Sequence, residues 1–313
     1  MTTVLITHPA FLNHDTGEYH PERPDRMRAI DKALSSESFA PLERREAPLR
    51  EDDKGYITLA HGSQHLADIT AAVENVDGHR YIDGDTVASP GTWEAARRAV
   101  GAGLDAVDLV MTGKATNAFC QVRPPGHHAE SHRAMGFCFF NNVAIAAHYA
   151  RAKHGAERIA VVDFDVHHGN GTQEIFWSDK DLFYGSTHQM PLYPGTGALR
   201  ETGVGNIFNA PLRAGDGRER FEEAFRSRIL EPLHNFSPDV ILISAGFDAH
   251  HRDPLAGLRL VEQDFQWATD SLAEAARRHG NGRIVSMLEG GYDLTGLAQS
   301  AAAHVKALLD AGS

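Results

Sequence analysis

The chain has 313 residues, of which 42% are hydrophobic, and a formal net charge of -12 at pH 7. That hydrophobic fraction is enough for a sizeable core, whereas the negative charge argues against direct nucleic-acid binding, because phosphate neutralisation requires clustered Lys and Arg. The cysteines, Cys120 and Cys138, lack the spacing of a disulfide framework or a cysteine-built zinc site, and no run reaches membrane-spanning length. We therefore expect one soluble, cytoplasmic domain over residues 1–313, without a linker, repeat or leader segment.

Short apolar runs alternate with longer helical patterns along the chain. The predicted strands are residues 4–7, 118–122, 159–163, 182–186, 240–244 and 284–288, and the clearest predicted helices are residues 143–154, 218–235, 262–279 and 296–310. Regular alternation of strand and helix predicts an α/β fold, with a single parallel sheet and helices on both faces. Such sheets bind their ligands beyond the carboxyl ends of the strands.

The first chemically informative segment is RPPGHH, which directly follows the second predicted strand. Its two prolines predict a rigid turn that presents His127 and His128 at the edge of the sheet. In a turn, two adjacent histidines can lie side by side, one as a base and the other as its electrostatic partner, if other groups orient their second ring nitrogens. Asp163 and Asn170 are candidates for that orienting role.

The third predicted strand leads into DFDVHHGNG, in which Asp163, Asp165 and His167 occupy every second position. If the extended strand continued, all three side chains would project from one face. Another carboxylate, Asp248, follows the fifth predicted strand, so two strand ends can share one ion. Two carboxylates, an imidazole and an open position are typical of a catalytic metal site; Zn(II) fits, as do Fe(II) and Mn(II). An isolated aspartate at a strand end is usually a turn former, but the repeated pattern favours metal binding.

The last predicted strand is followed by EGGYD. Two glycines before Tyr292 predict a flexible loop that can bring the phenol over the metal, where its hydroxyl would donate to a developing oxyanion. A Gly-Gly pair after a strand is more often a plain turn. A functional role is favoured here because EGGYD follows a strand of the same predicted sheet as RPPGHH, DFDVHHGNG and the segment that ends at Asp248.

Taken in chain order, RPPGHHAE, GFCFFNN, DFDVHHGNGTQ, YPGTG, GFDAH and EGGYD resemble the zinc-dependent histone deacetylase and acetylpolyamine amidohydrolase superfamily. The resemblance extends from His20 to the C-terminus and implies the arginase-deacetylase fold. The RPPGHH form and Asn170 are similar to the class II branch and its bacterial relatives.

The resemblance implies a complete deacetylase site. The zinc ligands would be Asp165, His167 and Asp248. The catalytic residues would be the general base His128, its electrostatic companion His127, the orienting residues Asp163 and Asn170, and the carbonyl-polarising Tyr292. The acyl-lysine channel would be lined by Gly136, Phe137, Tyr193 and Leu255.

Structural potassium ions are a further implication of the resemblance. An inner site would be formed by Asp163, Asp165, His167, Ser186 and Thr187, partly through backbone carbonyls. An outer site would involve Phe176, Asp179, Leu182 and Asn206. Arg26 would serve an inner channel through which acetate is released.

The implied reaction is removal of an acetyl or other acyl group from acyl-lysine in a protein or peptide, or alternatively from an acetylpolyamine or another small acetylated amine. At Leu255 the family's lysine deacetylases carry an apolar residue and a polyamine-specific member carries glutamate, so leucine favours acyl-lysine. Acidic residues on other loops, Glu18, Asp83 or Asp85, would favour a polyamine.

An arginase-type ureohydrolase is disfavoured because the further ligands of a binuclear manganese site are missing. An inactive acyl-lysine-binding module is disfavoured because both histidines of RPPGHH and the tyrosine of EGGYD are present. The sequence leaves the oligomeric state open.

Overall fold

A computed structural model describes residues 2–312. Met1 and Ser313, which belong to the expected domain of residues 1–313, lie outside the described residues. The strands are β1 Thr3–Thr7, β2 Glu43–Glu46, β3 Arg80–Tyr81, β4 Val87–Ala88, β5 Asn117–Cys120, β6 Ile159–Asp163, β7 Leu182–Gln189, β8 Ile207–Leu212, β9 Val240–Ala245 and β10 Ile284–Leu288. The helices are α1 Asp25–Leu34, α2 Asp53–Ala60, α3 Ser63–Val73, α4 Thr92–Met111, α5 Asn142–His154, α6 Asn170–Phe176, α7 Arg218–Ala224, α8 Glu231–Phe236, α9 Glu262–His279 and α10 Leu294–Ala311.

Eight strands form one parallel sheet in the order β2-β1-β5-β10-β9-β6-β7-β8, and β3 and β4 form a separate antiparallel pair. Every residue of β6, β9 and β10 is buried. Strands buried on both faces are characteristic of a parallel sheet covered by helices on each side. The predicted α/β fold, with helices on both faces of a parallel sheet, is therefore confirmed.

All six predicted strands are present, but the two edge strands were not predicted. Every side chain of β2, with the sequence ERRE, is exposed, so it carries no apolar signal. Strand β8 contains Pro211, which an edge strand tolerates because one of its sides needs no ladder hydrogen bonds. The helix predicted over residues 218–235 is continuous, but its middle, Phe225–Leu230, is π-helical and joins α7 to α8.

Parallel strands place all their carboxyl ends at one edge of the sheet. Strands β5, β10, β9, β6 and β7 are neighbours, so this edge brings RPPGHH, EGGYD, GFD, DFDVHH and YPGTG together. These segments are far apart in sequence, and the topology alone makes them adjacent. None of the described helices combines the length and apolarity that a membrane span requires.

A buried ionic cluster ties the loop before α1 to the RPPGHH turn. The side chains of Glu22, Arg26 and Arg123 are all fully buried. Arg123 donates from Nη2 to Glu22 Oε2 at 2.7 Å, and Arg26 donates from Nη1 to Glu22 Oε1 at 3.0 Å. Arg123 also donates from Nη1 to the backbone oxygens of Phe11, at 2.7 Å, and His14, at 3.0 Å. One carboxylate therefore compensates two buried guanidinium groups.

Replacing Glu22 by glutamine is expected to destabilise the fold by roughly 3–5 kcal/mol, because it leaves buried guanidinium charge uncompensated. Burial opposes ionisation of Glu22, but the Arg123 guanidinium holds its pKa below the ordinary range. The stabilisation is therefore fully present above the unfolded-state pKa of about 4.3 and is lost only as pH falls through the lowered folded-state value. Denaturant unfolding at neutral and acid pH measures this loss.

Asp25→Asn is the matched control, since it removes a nearby carboxylate whose partner Arg28, at 2.8 Å, is exposed. We expect it to cost less than about 1 kcal/mol. If Glu22→Gln lowers the free energy of unfolding by no more than Asp25→Asn does, the Glu22 cluster is not stabilising.

Candidate active site

Glu289, the first residue of EGGYD, anchors the turn that carries the two histidines. Its Oε2 accepts from the backbone N–H groups of Gly126 at 2.6 Å and His127 at 3.1 Å, and its Oε1 accepts from Ser244 Oγ at 3.1 Å. Burial raises the pKa of Glu289 to about 7. No role was predicted for this residue, because its bonding partners are distant in the chain.

His127 is held against Asp163, as predicted. Its Nδ1 lies 2.9 Å from Asp163 Oδ2, and its Nε2 lies 3.9 Å from Asp165 Oδ2. Tyr184 donates its hydroxyl to the same Asp163 oxygen at 3.0 Å. Burial favours the neutral imidazole, but the two carboxylates outweigh it and raise the pKa of His127 to about 10. The two carboxylates therefore favour the protonated form of this side chain.

His128 has the opposite electrostatic character. Its Nδ1 lies 2.8 Å from Asn170 Oδ1, while Asn170 donates from Nδ2 to Glu130 Oε1 at 2.7 Å. An amide oxygen only accepts, so the proton of neutral His128 sits on Nδ1 and Nε2 carries the lone pair. Burial and the charge of His127, whose ring centroid is 4.0 Å away, lower the pKa of His128 well below its ordinary value. The surroundings of the pair therefore favour a neutral His128 beside a protonated His127.

The predicted metal ligands converge. Asp165, His167 and Asp248 are buried and offer ligand atoms that all lie within 4.8 Å of one another. His167 Nδ1 is 3.2 Å from Asp165 Oδ1 and 3.1 Å from Asp248 Oδ2. Burial and the Asp165 carboxylate raise the pKa of Asp248 to about 7, so the two carboxylates repel each other. A divalent cation would relieve that repulsion, and the donor set of two carboxylates and one imidazole suits it.

The local backbone differs from the predicted continuous strand. Strand β6 ends at Asp163, and the chain then turns. The Asp165 N–H donates to Asp163 Oδ1 at 3.1 Å, and the His167 N–H donates to Asp165 Oδ1 at 2.8 Å. Each aspartate thus accepts a hydrogen bond from the backbone N–H two residues further on, which forms a turn typical of Asp. The side chains of Asp163, Asp165 and His167 are therefore positioned by these turns and not by the alternation of an extended strand.

Gly290, the first glycine of EGGYD, lies directly against the carboxylates of Asp165 and Asp248. A Cβ on Gly290 would lie 2.2 Å from Asp248 Oδ2 and 2.6 Å from Asp165 Oδ2. The Gly290 N–H donates to that Asp165 oxygen at 2.8 Å. Glycine is required because the backbone closes directly onto both carboxylates.

The rest of the EGGYD loop is held by buried side chains. The Tyr292 N–H donates to Asp253 Oδ2 at 2.7 Å. Arg26 donates from Nε to the Gly291 carbonyl at 2.7 Å, and its guanidinium carbon lies 5.2 Å from the Tyr292 ring centroid. Arg26, which the resemblance linked to acetate release, is thus a direct support of the tyrosine loop.

One cavity of about 260 Å³ connects these groups to the surface. It is lined by Asp85, His128, Gly136, Phe137, His167, Leu192, Tyr193, Leu255 and Tyr292. All four predicted channel residues are among them, and Leu192 is an addition that the sequence did not single out. Tyr193 and Leu255 are 40% and 36% exposed and lie at the mouth.

Phe137 lines this channel with a strained backbone. Its φ of 70° is in the left-handed region, which costs a bulky residue on the order of 1–3 kcal/mol. Its N–H donates to Thr86 Oγ1 at 3.1 Å. The centroid of its ring lies 4.7 Å from that of the His20 ring and 5.9 Å from that of the Tyr292 ring. The Phe137 ring therefore packs beside Tyr292 in the lining of the channel.

Two residues of the predicted inner potassium site, Asp165 and His167, belong to the metal cluster itself. Asp163 and Ser186 are neighbours across β6 and β7. The buried Thr187 hydroxyl has no hydrogen-bond partner among the described residues. The predicted outer set, around Asn206, lies at the far end of α6.

Comparison with known proteins gives matches over nearly the whole chain. A family model described as "Histone deacetylase domain" matches residues 20–308. The chain is 41% identical over 308 residues to an uncharacterized protein of Synechocystis, covering 97% of this chain and 99% of that protein. It is 38% identical to a histone deacetylase-like amidohydrolase of Pseudomonas aeruginosa, covering 87% and 72%. The crystal structure of the HDA15 HD domain is similar with a TM-score of 0.92 and 37% identity, covering 99% of this chain and 88% of that one.

Proposed function

The chain belongs to the histone deacetylase family of deacetylases and amidohydrolases, and we propose that it removes acetyl groups from the ε-amine of acyl-lysine in peptides or proteins, with zinc held by Asp165, His167 and Asp248. The observation that carries the proposal is the cavity of about 260 Å³, whose lining runs from Tyr193 and Leu255 at the mouth to His128, His167 and Tyr292. A neutral methylene chain with an amide at its end suits that lining.

A divalent ion in this site would polarise the amide carbonyl and lower the pKa of the attacking water. His128, neutral and with its Nδ1 proton directed to Asn170, offers Nε2 to accept a proton from that water. His127 stays charged beside Asp163 and favours the negative charge that develops on the attacked carbonyl oxygen. The proton is then passed to the amide nitrogen as the C–N bond breaks, so lysine leaves as the neutral amine and the acetyl group leaves as acetic acid.

The metal assignment rests on the donor set. Oxygen and imidazole donors without a thiolate also accept Fe(II), and metal analysis of the purified protein distinguishes the two ions. For potassium at the inner site, the adjacent Asp163 and Ser186 and the unpartnered Thr187 hydroxyl supply oxygen donors.

The second candidate function is deacetylation of a small acetylated amine such as an acetylpolyamine. Its support is Asp85, a carboxylate that lines the same cavity and could attract a distal ammonium group. Burial and the neighbouring Asp83 raise the pKa of Asp85. We rank acyl-lysine first because Leu255, at the mouth of the cavity, offers no charge to a distal ammonium group.

One assay panel separates the two functions. Acetyl-lysine peptides, acetylputrescine and acetylspermidine are compared by kcat/KM at fixed metal content. We expect the peptides to be the better substrates. If an acetylated polyamine is better by tenfold or more, the lysine assignment is wrong, and Asp85→Asn should then reduce polyamine turnover selectively.

Leu255→Glu is expected to shift the ratio of kcat/KM toward acetylspermidine by roughly fivefold at low salt, because one rim carboxylate facing an ammonium is worth about 1 kcal/mol. Added salt should weaken the shift, since charges are screened over about 8 Å at physiological ionic strength. Leu255→Gln, which has a similar size and no charge, is the control. A ratio that moves equally in both variants would trace the change to shape and not to charge.

A further inference from the structure

The side-chain amide of Asn206 lies at the centre of three backbone carbonyl groups. Its Nδ2 is 2.9 Å from the carbonyl oxygen of Phe176, 3.0 Å from that of Asp179 and 2.7 Å from that of Leu182. Its Oδ1 accepts from the Val204 N–H at 3.1 Å, which fixes which end of the amide faces the carbonyls. The residue is 4% exposed, so this arrangement is an interior one.

The neighbouring backbone is shaped around this amide. Gly203 has a φ of 55°, and a Cβ there would lie 2.6 Å from Asn206 Oδ1 and 2.7 Å from the Trp177 carbonyl oxygen. Any other residue at this position would push the amide out of place. The main-chain carbonyl of Asn206 is also engaged, because it accepts from the Tyr184 N–H at 3.0 Å.

The four residues that the family resemblance assigns to an outer potassium site are the same four that meet here. A cation needs the carbonyl oxygens as ligands, yet an N–H donor already occupies the point at which three of them converge. The residues present therefore do not fit the ion. Two amide hydrogens satisfy three carbonyls when one bond is shared, as is common at helix termini.

We propose that the Asn206 amide takes the place of the outer monovalent cation, so that this part of the fold needs no ion. The amide joins the C-terminal end of α6 at Phe176, the following turn at Asp179 and the start of β7 at Leu182 to the loop before β8. Helix α6 begins at Asn170, which bonds the base His128, so the tie supports the element that orients the base. The proposal does not depend on the substrate.

The direct test is diffraction from crystals of the metal-loaded wild-type protein grown with thallium(I) acetate and no potassium. We expect no anomalous thallium peak among the carbonyls of Phe176, Asp179 and Leu182, with the Asn206 amide in that position. We expect the peak to be present in Asn206→Gly, where the cradle is open. A thallium peak there in the wild type, with the amide turned away, would overturn the proposal.

A stability measurement adds a second criterion. Thermal unfolding is compared in KCl and in tetramethylammonium chloride at equal ionic strength. Asn206→Asp replaces the donor with an oxygen that faces three carbonyls, so we expect potassium to raise its Tm by about 2–4 °C more than that of the wild type. Asn235→Asp, the same change at a nearby exposed asparagine, should respond as the wild type does. An equal potassium response in all three proteins contradicts the proposal; if Asn206→Asp does not fold, the wild-type thallium result decides.

Discussion

Replacing His167 or Asp248 by alanine is expected to remove the bound divalent ion and to lower kcat/KM by roughly 10³-fold or more. Either change leaves two of the three converging ligands, and the ion contributes several kcal/mol through carbonyl polarisation and water activation. Chelation of the wild-type protein should abolish turnover in the same way, and readdition of the metal should restore it. Metal analysis and turnover are measured on the same samples.

His251→Ala is the control, because it removes an exposed histidine three residues after Asp248. We expect it to keep both metal and activity. Full activity in protein shown to be free of metal would end the proposal that the cluster works through an ion.

Tyr292→Phe is expected to lower kcat by about 10²–10³-fold, the loss typical of removing one donor to a developing oxyanion. Burial and the Asp248 carboxylate raise the pKa of the Tyr292 hydroxyl, so it remains a protonated donor throughout the neutral range. The ring stays supported by Arg26 and Phe137, so fold and metal content should not change. KM should change little, because the hydroxyl acts mainly in the transition state.

Tyr56→Phe serves as the matched control, since this tyrosine packs edge-on against Tyr149 in another part of the molecule. We expect wild-type kinetics from it. If kcat of Tyr292→Phe is close to that of the wild type, the tyrosine is a packing residue and the oxyanion donor must be sought elsewhere.

The parts of the fold that could be predicted are those with a local signal. The central strands are buried at every position and apolar at most of them because both faces of the sheet are covered, and their apolar runs are visible in the sequence. The edge strand β2 is fully exposed and charged, so only its pairing with β1 defines it. The turn after Asp163 was mistaken for strand because alternating residues look alike in both until the hydrogen bonds of the aspartates are known.

The same distinction applies to the site. The metal ligands and the two histidines lie in short motifs whose residue types suffice to indicate the chemistry. Glu22 and Glu289 were missed, because their partners Arg123 and Gly126 lie 101 and 163 positions away, and no spacing rule connects them. The hydrogen bonds from the Asn206 amide to three backbone carbonyls were missed for another reason. Every residue has a backbone carbonyl, so the residue type does not indicate what that carbonyl binds.

Glu289 and Gly290 connect the turn that carries His127 to the carboxylate of Asp165. Glu289 accepts from the backbone of the histidine turn, and Gly290 donates to Asp165. One peptide unit therefore sets the spacing between the base and the metal ligands. A displacement of this unit would therefore move the histidine turn and the Asp165 carboxylate together.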